Sequence, residues 1–339
     1  MGRHVGLGTR PRFLSLFLVV LMTPPDDAPA AQSQFSGSRL ITRRDLLIGT
    51  GVAATILATG RRIVLDTARS RTSGVRRLGQ GQVRHSVAAW CFDREPGPLS
   101  VADLASASAR LGLASVELVE PRDWSVLRSF DLTCALCPSH DLVRGWNHRE
   151  NHEECKTRVI HAIEDSATFG CPNVITFSGL RHGITDEEGL RNMVDGLKQV
   201  VGLAERHRIN ICLEVLNSRI AEKGRGHPDY QADSLEWAIK VCDAVGSPRM
   251  KILFDVYHIQ IMQGNVVRMI RAYADRIGHY QVAGVPGRGP AYDSRDVSYP
   301  AVIHAILDSE YGGFIGQEFI PVGPDKLGEL LESATTCDL

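Results

Sequence analysis

The chain has 339 residues, 43% hydrophobic and 23% charged, which is the balance of a globular protein and excludes a disordered or fibrous one. Its formal net charge is −1, with no basic stripe to hold nucleic acid and no acidic tract to mark a tail. Aromatic residues make up only 6%, so stacking platforms for bases are not evident either.

Residues 1–84 read differently from the rest. They are rich in Arg, poor in acids, and hold two short apolar stretches, FLSLFLVVLM (Phe13–Met22) and LLIGTGVAATILATG (Leu46–Gly60). A membrane span needs about 20 apolar residues, and both fall short. TRRDLL (Thr42–Leu47) places a twin arginine before the second, Gly/Ala-rich stretch, and this resembles a twin-arginine export signal. Such signals rarely follow a long leader, so the working start is expected downstream of Met1. No clear A-x-A cleavage site follows. A periplasmic product and a protein anchored to the membrane through this segment are both expectations, with a cytoplasmic location as the alternative. The chain therefore divides into a signal or anchor with linker, 1–84, and a folded domain, 85–339.

From His85 strand-like and helix-like stretches alternate. HSVAAWCF (85–92) reads as a strand, Val101–Leu111 as a helix with Ser100 as N-cap, and ASVELV (114–119) as the second strand. A short helix over 124–129 leads to LTCALC (132–137), then to a long loop, 138–150. A helix over 152–169 precedes NVITFSG (173–179). A long helix over 186–207 precedes INICLEVLN (209–217). A helix over 232–245 precedes KILFDV (251–256), and one over 260–274 precedes IGHYQVAG (277–284). A helix over 299–309 leads to FIGQEF (314–319), and a last helix covers about 325–333. Strands that alternate with helices imply a parallel sheet. Eight such units in roughly 250 residues make an α/β protein of the (β/α)8 TIM barrel class, one domain. A doubly wound sheet would carry a Gly-rich turn after its first strand, and CFDREPGPLS has none.

The eight cysteines fall mostly inside apolar runs and read as small buried hydrophobes. CALC (Cys134–Cys137) is a C-x-x-C, but one pair without a second pair or a His partner is a weak zinc or redox signal.

In such a barrel chemistry sits at the C-terminal ends of the strands. Four consecutive strands each end with an oxygen-bearing side chain: Glu214, Asp255, Gln281 and Glu318. Three carboxylates converging on one mouth raise each other's pKa, and a divalent cation removes that penalty. Three carboxylates and an amide oxygen suit Mg²⁺ or Mn²⁺ better than zinc. Glu117, Trp124, His140, Trp146 and His227 are further candidates at the mouth. His258, three residues after Asp255, has a second reading as a core histidine that holds a neighbouring loop.

LEVLNSR, LFDVYHIQIMQG, YQVAGVPGRGP and GGFIGQEF together resemble the metal-site segments of the xylose-isomerase-like barrel superfamily, within it the hydroxypyruvate isomerases most closely. The resemblance runs from about 85 to 322 and is looser in the first half. It implies Glu214, Asp255, Gln281 and Glu318 as metal ligands, with the two glutamates also acting as catalytic acid and base. It implies His258 and Arg288 as substrate-binding residues. The expected activity is metal-dependent isomerisation of a small α-hydroxycarbonyl compound through an enediolate. Epimerisation, dehydration of a keto-inositol type of substrate, and a non-catalytic sugar-binding barrel are the alternatives. A small molecule is the expected partner. No nucleic acid is expected, and a homo-oligomer is open. Nothing beyond PGRGP suggests a phosphate site.

Overall fold

The computed structural model describes residue 78 and residues 81–339, so the twin-arginine segment and both apolar stretches of the leader lie outside the described residues. Seven strands form one parallel sheet: β1 (Arg84–Ala88), β2 (Ser115–Glu117), β3 (Asn173–Thr176), β4 (Asn210–Glu214), β5 (Met250–Asp255), β6 (Ile277–Val282) and β7 (Phe314–Gln317). Their order is β2-β1-β7-β6-β5-β4-β3. From β3 to β7 each βα unit adds its strand beside the previous one, and β7 pairs in turn with β1.

The third expected strand, LTCALC, is not a regular strand, and the barrel has seven strands by its ladders rather than eight. The reason lies in Ala135. Ser115 Oγ accepts its N–H at 2.8 Å and Asn173 Nδ2 donates to its carbonyl at 3.0 Å, so side chains replace the ladder there. Single parallel bridges on either side, Ser115 with Thr133 and Cys137 with Val174, still span the gap between β2 and β3 and close the ring.

Ser100 caps the helix Val101–Leu111 in a full capping box with Asp103, as its position in the sequence suggests. The expected helix over 260–274 is instead two, Val256–Met262 and Val266–Tyr273. Gly264 and Asn265, both at positive φ, break the ladder between them. The long helix over 186–207 is likewise split, at 198–200, where bonding tightens to i→i+3.

Leu136, Ile175, Cys212 and Leu253 pack inside the ring, and a larger apolar layer fills the space between sheet and helices. Burying one such Leu or Ile contributes about 1.5–3 kcal/mol before entropy is charged against it. All eight cysteines are buried and free. Burial pushes the Cys134 and Cys137 thiols up, and their sulfurs donate to the Leu136 and Pro138 carbonyls. They belong to the packing, as the sequence reading had it. Among the described residues no helix is long and apolar enough to cross a membrane.

Candidate active site

The strand ends place the polar residues. Glu214 is the last residue of β4 and Asp255 the last of β5; Gln281 is next to last in β6, and Glu318 follows β7 directly. Asp255 lies level with Gln281 in the β5–β6 register. The chain passes from β5 straight into the helix Val256–Met262, and Asp255 caps it through the Tyr257 N–H at 2.8 Å. One oxygen of this buried acid is thus used locally. The other faces Arg288 at 3.4 Å and His258 Nε2 at 3.5 Å.

Arg288 is the cation of the site. Its Nη2 meets Glu318 Oε2 at 2.7 Å, and its Nη1 donates to the Gly224 carbonyl at 3.0 Å. The guanidinium lies 5.3 Å from the Trp90 ring and 5.2 Å from Tyr257. Trp90 Nε1 donates to the second Glu318 oxygen at 2.7 Å. Both Glu318 oxygens are therefore held. The carboxylate of Glu214 has no hydrogen bond or ion pair among the described residues and lines the cavity above the barrel.

One arginine does not neutralise three buried carboxyls. Burial, then Glu318 and Asp255, push Glu214 well above the carboxylate range. Burial raises Asp255 despite Arg288. Glu318 is pushed up to about 8, by burial first and against the pull of Arg288. The neighbouring Glu117 goes the other way. Burial would raise it, but the charge and hydrogen bond of His279 and the hydrogen bond of Gln281 hold it low.

Within the site, Gln281 Oε1, His258 Nε2 and Tyr257 Oη are buried polar atoms without a hydrogen-bond partner. Gln281 Nε2 is committed to Glu117 Oε1 at 2.8 Å, so the amide leaves its oxygen free. Asn217 decides the tautomer of His258. Its backbone N–H can only donate, and it donates to His258 Nδ1 at 3.1 Å. Burial lowers the His258 pKa, so the ring is neutral and carries its proton on Nε2. Ligand atoms of Glu214, Asp255 and His258 lie within 4.8 Å of one another. In this tautomer, however, Nε2 offers a proton rather than a lone pair. Glu214, Asp255, Gln281 and Glu318 present oxygen atoms at the strand ends, the ligand chemistry of hard divalent cations.

His258 does also hold a loop. Asn217 Nδ2 contacts its Nδ1 at 2.6 Å and the Arg225 carbonyl at 2.7 Å, which fixes the 217–226 segment over the site. Of the other mouth candidates, His140 and His227 line the cavity. Trp146 is fully buried with its Nε1 on Thr176, and Trp124 packs on Phe169 away from the site. Glu117 sits inside the barrel beneath Gln281. The sequence reading missed Trp90 and Asn217. Trp90 lies in the turn Ala89–Cys91 just past β1, and the strand-end rule applied to that strand would have pointed to it.

Comparison with known proteins follows the same lines. A 2-oxo-tetronate isomerase of Pectobacterium atrosepticum is 26% identical over 239 residues, 67% of this chain and 88% of that protein. The hydroxypyruvate isomerase of Escherichia coli strain K12 is 27% identical over 237 residues, 65% of this chain and 88% of that protein. A human relative, 29% identical over 167 residues, is spanned over only 58% of its length. The crystal structure of an AP endonuclease, family 2, from Brucella melitensis superposes with a TM-score of 0.62 at 20% identity, covering 75% of this chain and 99% of that one. The model of the xylose isomerase-like TIM barrel family matches residues 107–334, more than half of the chain. With that match, this strand order and these strand-end acids, the chain belongs to the xylose isomerase-like TIM barrel family.

Proposed function

We propose that this protein is a metal-dependent isomerase of a small α-hydroxycarbonyl compound of the hydroxypyruvate or 2-oxo-tetronate kind. The names of its relatives support the reaction class. The observation that carries the chemistry is the set of three buried carboxyls and an unpartnered amide oxygen served by one arginine, of which Glu214, Glu318 and Arg288 line a cavity of about 380 Å³.

Glu214, Asp255, Gln281 and Glu318 would hold Mg²⁺ or Mn²⁺, which supplies Lewis-acid stabilisation of an enediolate. Glu214, free of protein partners and facing the cavity, takes the proton α to the carbonyl. Glu318, oriented by Trp90 and Arg288, gives its own proton to the neighbouring carbon, the hydroxyl proton passes between the two substrate oxygens, and exchange with solvent resets both carboxyls. His258 donates from Nε2 to a substrate oxygen, and Arg288 draws in the anionic or carbonyl end. Return to the same carbon would be epimerisation, and loss of a hydroxyl would be dehydration, so product analysis separates these readings.

The test is proton NMR of the full-length protein in D₂O with hydroxypyruvate first in a panel of α-hydroxycarbonyl compounds, with Mn²⁺ added and then removed by chelator. Chelator-sensitive deuterium wash-in that is absent from Glu318→Gln is the expected result. Full activity in Glu318→Gln would overturn the pairing of the glutamates. We also propose export through the twin-arginine segment. Cell fractionation of the chain with Arg43 and Arg44 both changed to Lys tests it, and an unchanged distribution would exclude that route.

A further inference from the structure

The cavity above the barrel has two unlike sides. Glu214 at the end of β4, Glu318 just after β7 and Arg288 in the turn after β6 line one of them. Across the ring, β2, the 132–142 segment and β3 present Leu118, Pro138, Leu142, Ile175 and Phe177. The two polar residues on this far wall have no free polar side-chain atom. Ser139 Oγ donates to the Ile175 carbonyl at 2.5 Å. His140 uses Nδ1 on the Asp141 carbonyl at 3.0 Å and Nε2 on Thr176 Oγ1 at 2.9 Å, and its ring stands edge-on to Phe177. Leu118 sits at φ 58°, a conformation a leucine takes only when its surroundings impose it.

Size points the same way. Cavities of about 300–1,000 Å³ hold drug-sized ligands. A three-carbon keto acid would leave most of 380 Å³ empty. A sugar-like tail would lay its hydroxyls on a wall whose single hydroxyl, Ser139, has already spent its proton, at a loss of about tenfold or more in affinity for each unsatisfied group. A hydrocarbon tail would gain roughly fourfold for each methylene buried there.

We propose that the natural substrate carries an apolar alkyl or aryl portion beside its α-hydroxycarbonyl head, seated against Leu118, Leu142, Ile175 and Phe177. This rests on the isomerase reading for the identity of the head. It departs from the small polar acids named for the relatives in the nature of the tail.

The test uses the full-length protein with Mn²⁺ and a series R–CH(OH)–CO–COO⁻ in which R is hydrogen, hydroxymethyl or n-propyl. Deuterium exchange at the hydroxyl-bearing carbon gives kcat/KM. In parallel, saturation-transfer NMR measures binding of the unreactive 2-hydroxyalkanoate and of a polyhydroxy acid of equal length. The expected result is a propyl-to-hydroxymethyl ratio of tenfold or more, falling several-fold in Phe177→Ala. Leu118→Asn, which a positive φ tolerates, should also lower it by giving hydroxyls a partner. A wild-type ratio of one or below, or a ratio that neither variant moves, overturns the proposal. Alkyl-selective binding that both variants weaken, without exchange in any compound, keeps the apolar seat and removes the isomerase reading. Binding without alkyl selectivity, or no binding, overturns the seat itself.

Discussion

Glu117 and Gln281 are joined by a fully buried hydrogen bond of 2.8 Å, with the amide nitrogen of Gln281 as donor. The other Glu117 oxygen meets His279 Nε2 at 3.1 Å. A carboxylate can only accept, so the amide cannot turn over, and its oxygen is the atom left without a partner. Glu117 therefore acts as a positioning residue for the proposed metal site.

Replacing Glu117 with Gln keeps the volume but removes this constraint, because a glutamine can present either end to Gln281. Outer partners of metal ligands typically govern affinity by about 10–100-fold. The expected outcome for Glu117→Gln is a loss of that size in Mn²⁺ affinity by titration calorimetry, with the fold retained by circular dichroism. Unchanged affinity would mean that the Gln281 oxygen is not a ligand.

Gly316 of β7 makes room for the same carboxylate. A Cβ at this position would stand 2.3 Å from Glu117 Oε1 and 2.8 Å from its Cδ. Neither β7 nor the buried acid can yield freely, so Gly316→Ala should cost about 1–3 kcal/mol. Urea midpoints measure it. In a Glu117→Ala background the same change should cost much less, and equal costs in both backgrounds would show that the clash is relieved elsewhere.

The second half of the site was legible because each strand there is an apolar run that ends in one polar residue, as in LEVLN and LFDVYH. Period and position sufficed for Glu214, Asp255, Gln281 and Glu318. Tertiary partners were not legible. That Arg288 reaches both Asp255 and Glu318 depends on the fold of the 284–290 turn, and the His258 tautomer depends on an amide 41 residues away. The strand at LTCALC failed for a related reason. Its residues suit a strand, but Ser115 and Asn173 take over the hydrogen bonds of Ala135 from other segments.

His140 carries a pH dependence of stability. Burial lowers its pKa from 6.5 to about 4, against the smaller raising effect of Asp141. The unfolded chain then binds more protons than the folded one between those values, so stability is full above pH 6.5 and falls as the pH drops toward 4. At pH 5 this residue alone should cost about 2 kcal/mol relative to pH 7. Urea unfolding at both pH values should show a smaller loss in His140→Gln than in the wild type. An equal loss would assign the acid sensitivity to other groups.

Arg288 offers the sharpest check on the charge balance. It is the only Lys or Arg among the described residues that pairs with the Asp255 and Glu318 carboxylates, and it is itself buried. Taking one partner from a buried ionic cluster typically costs about 3–5 kcal/mol. For a domain of this size that is about 2–4 °C in Tm per kcal/mol. Arg288→Ala should therefore melt markedly lower than the wild type in chelator. If a divalent cation takes the same carboxylates, saturating Mn²⁺ should raise the Tm of the variant more than that of the wild type, because the ion then carries the compensation that the guanidinium no longer provides. Differential scanning fluorimetry of the two proteins, with and without Mn²⁺, reads both effects. A variant that loses stability and gains nothing from Mn²⁺ would mean that Arg288 helps build the metal site rather than sharing its charge.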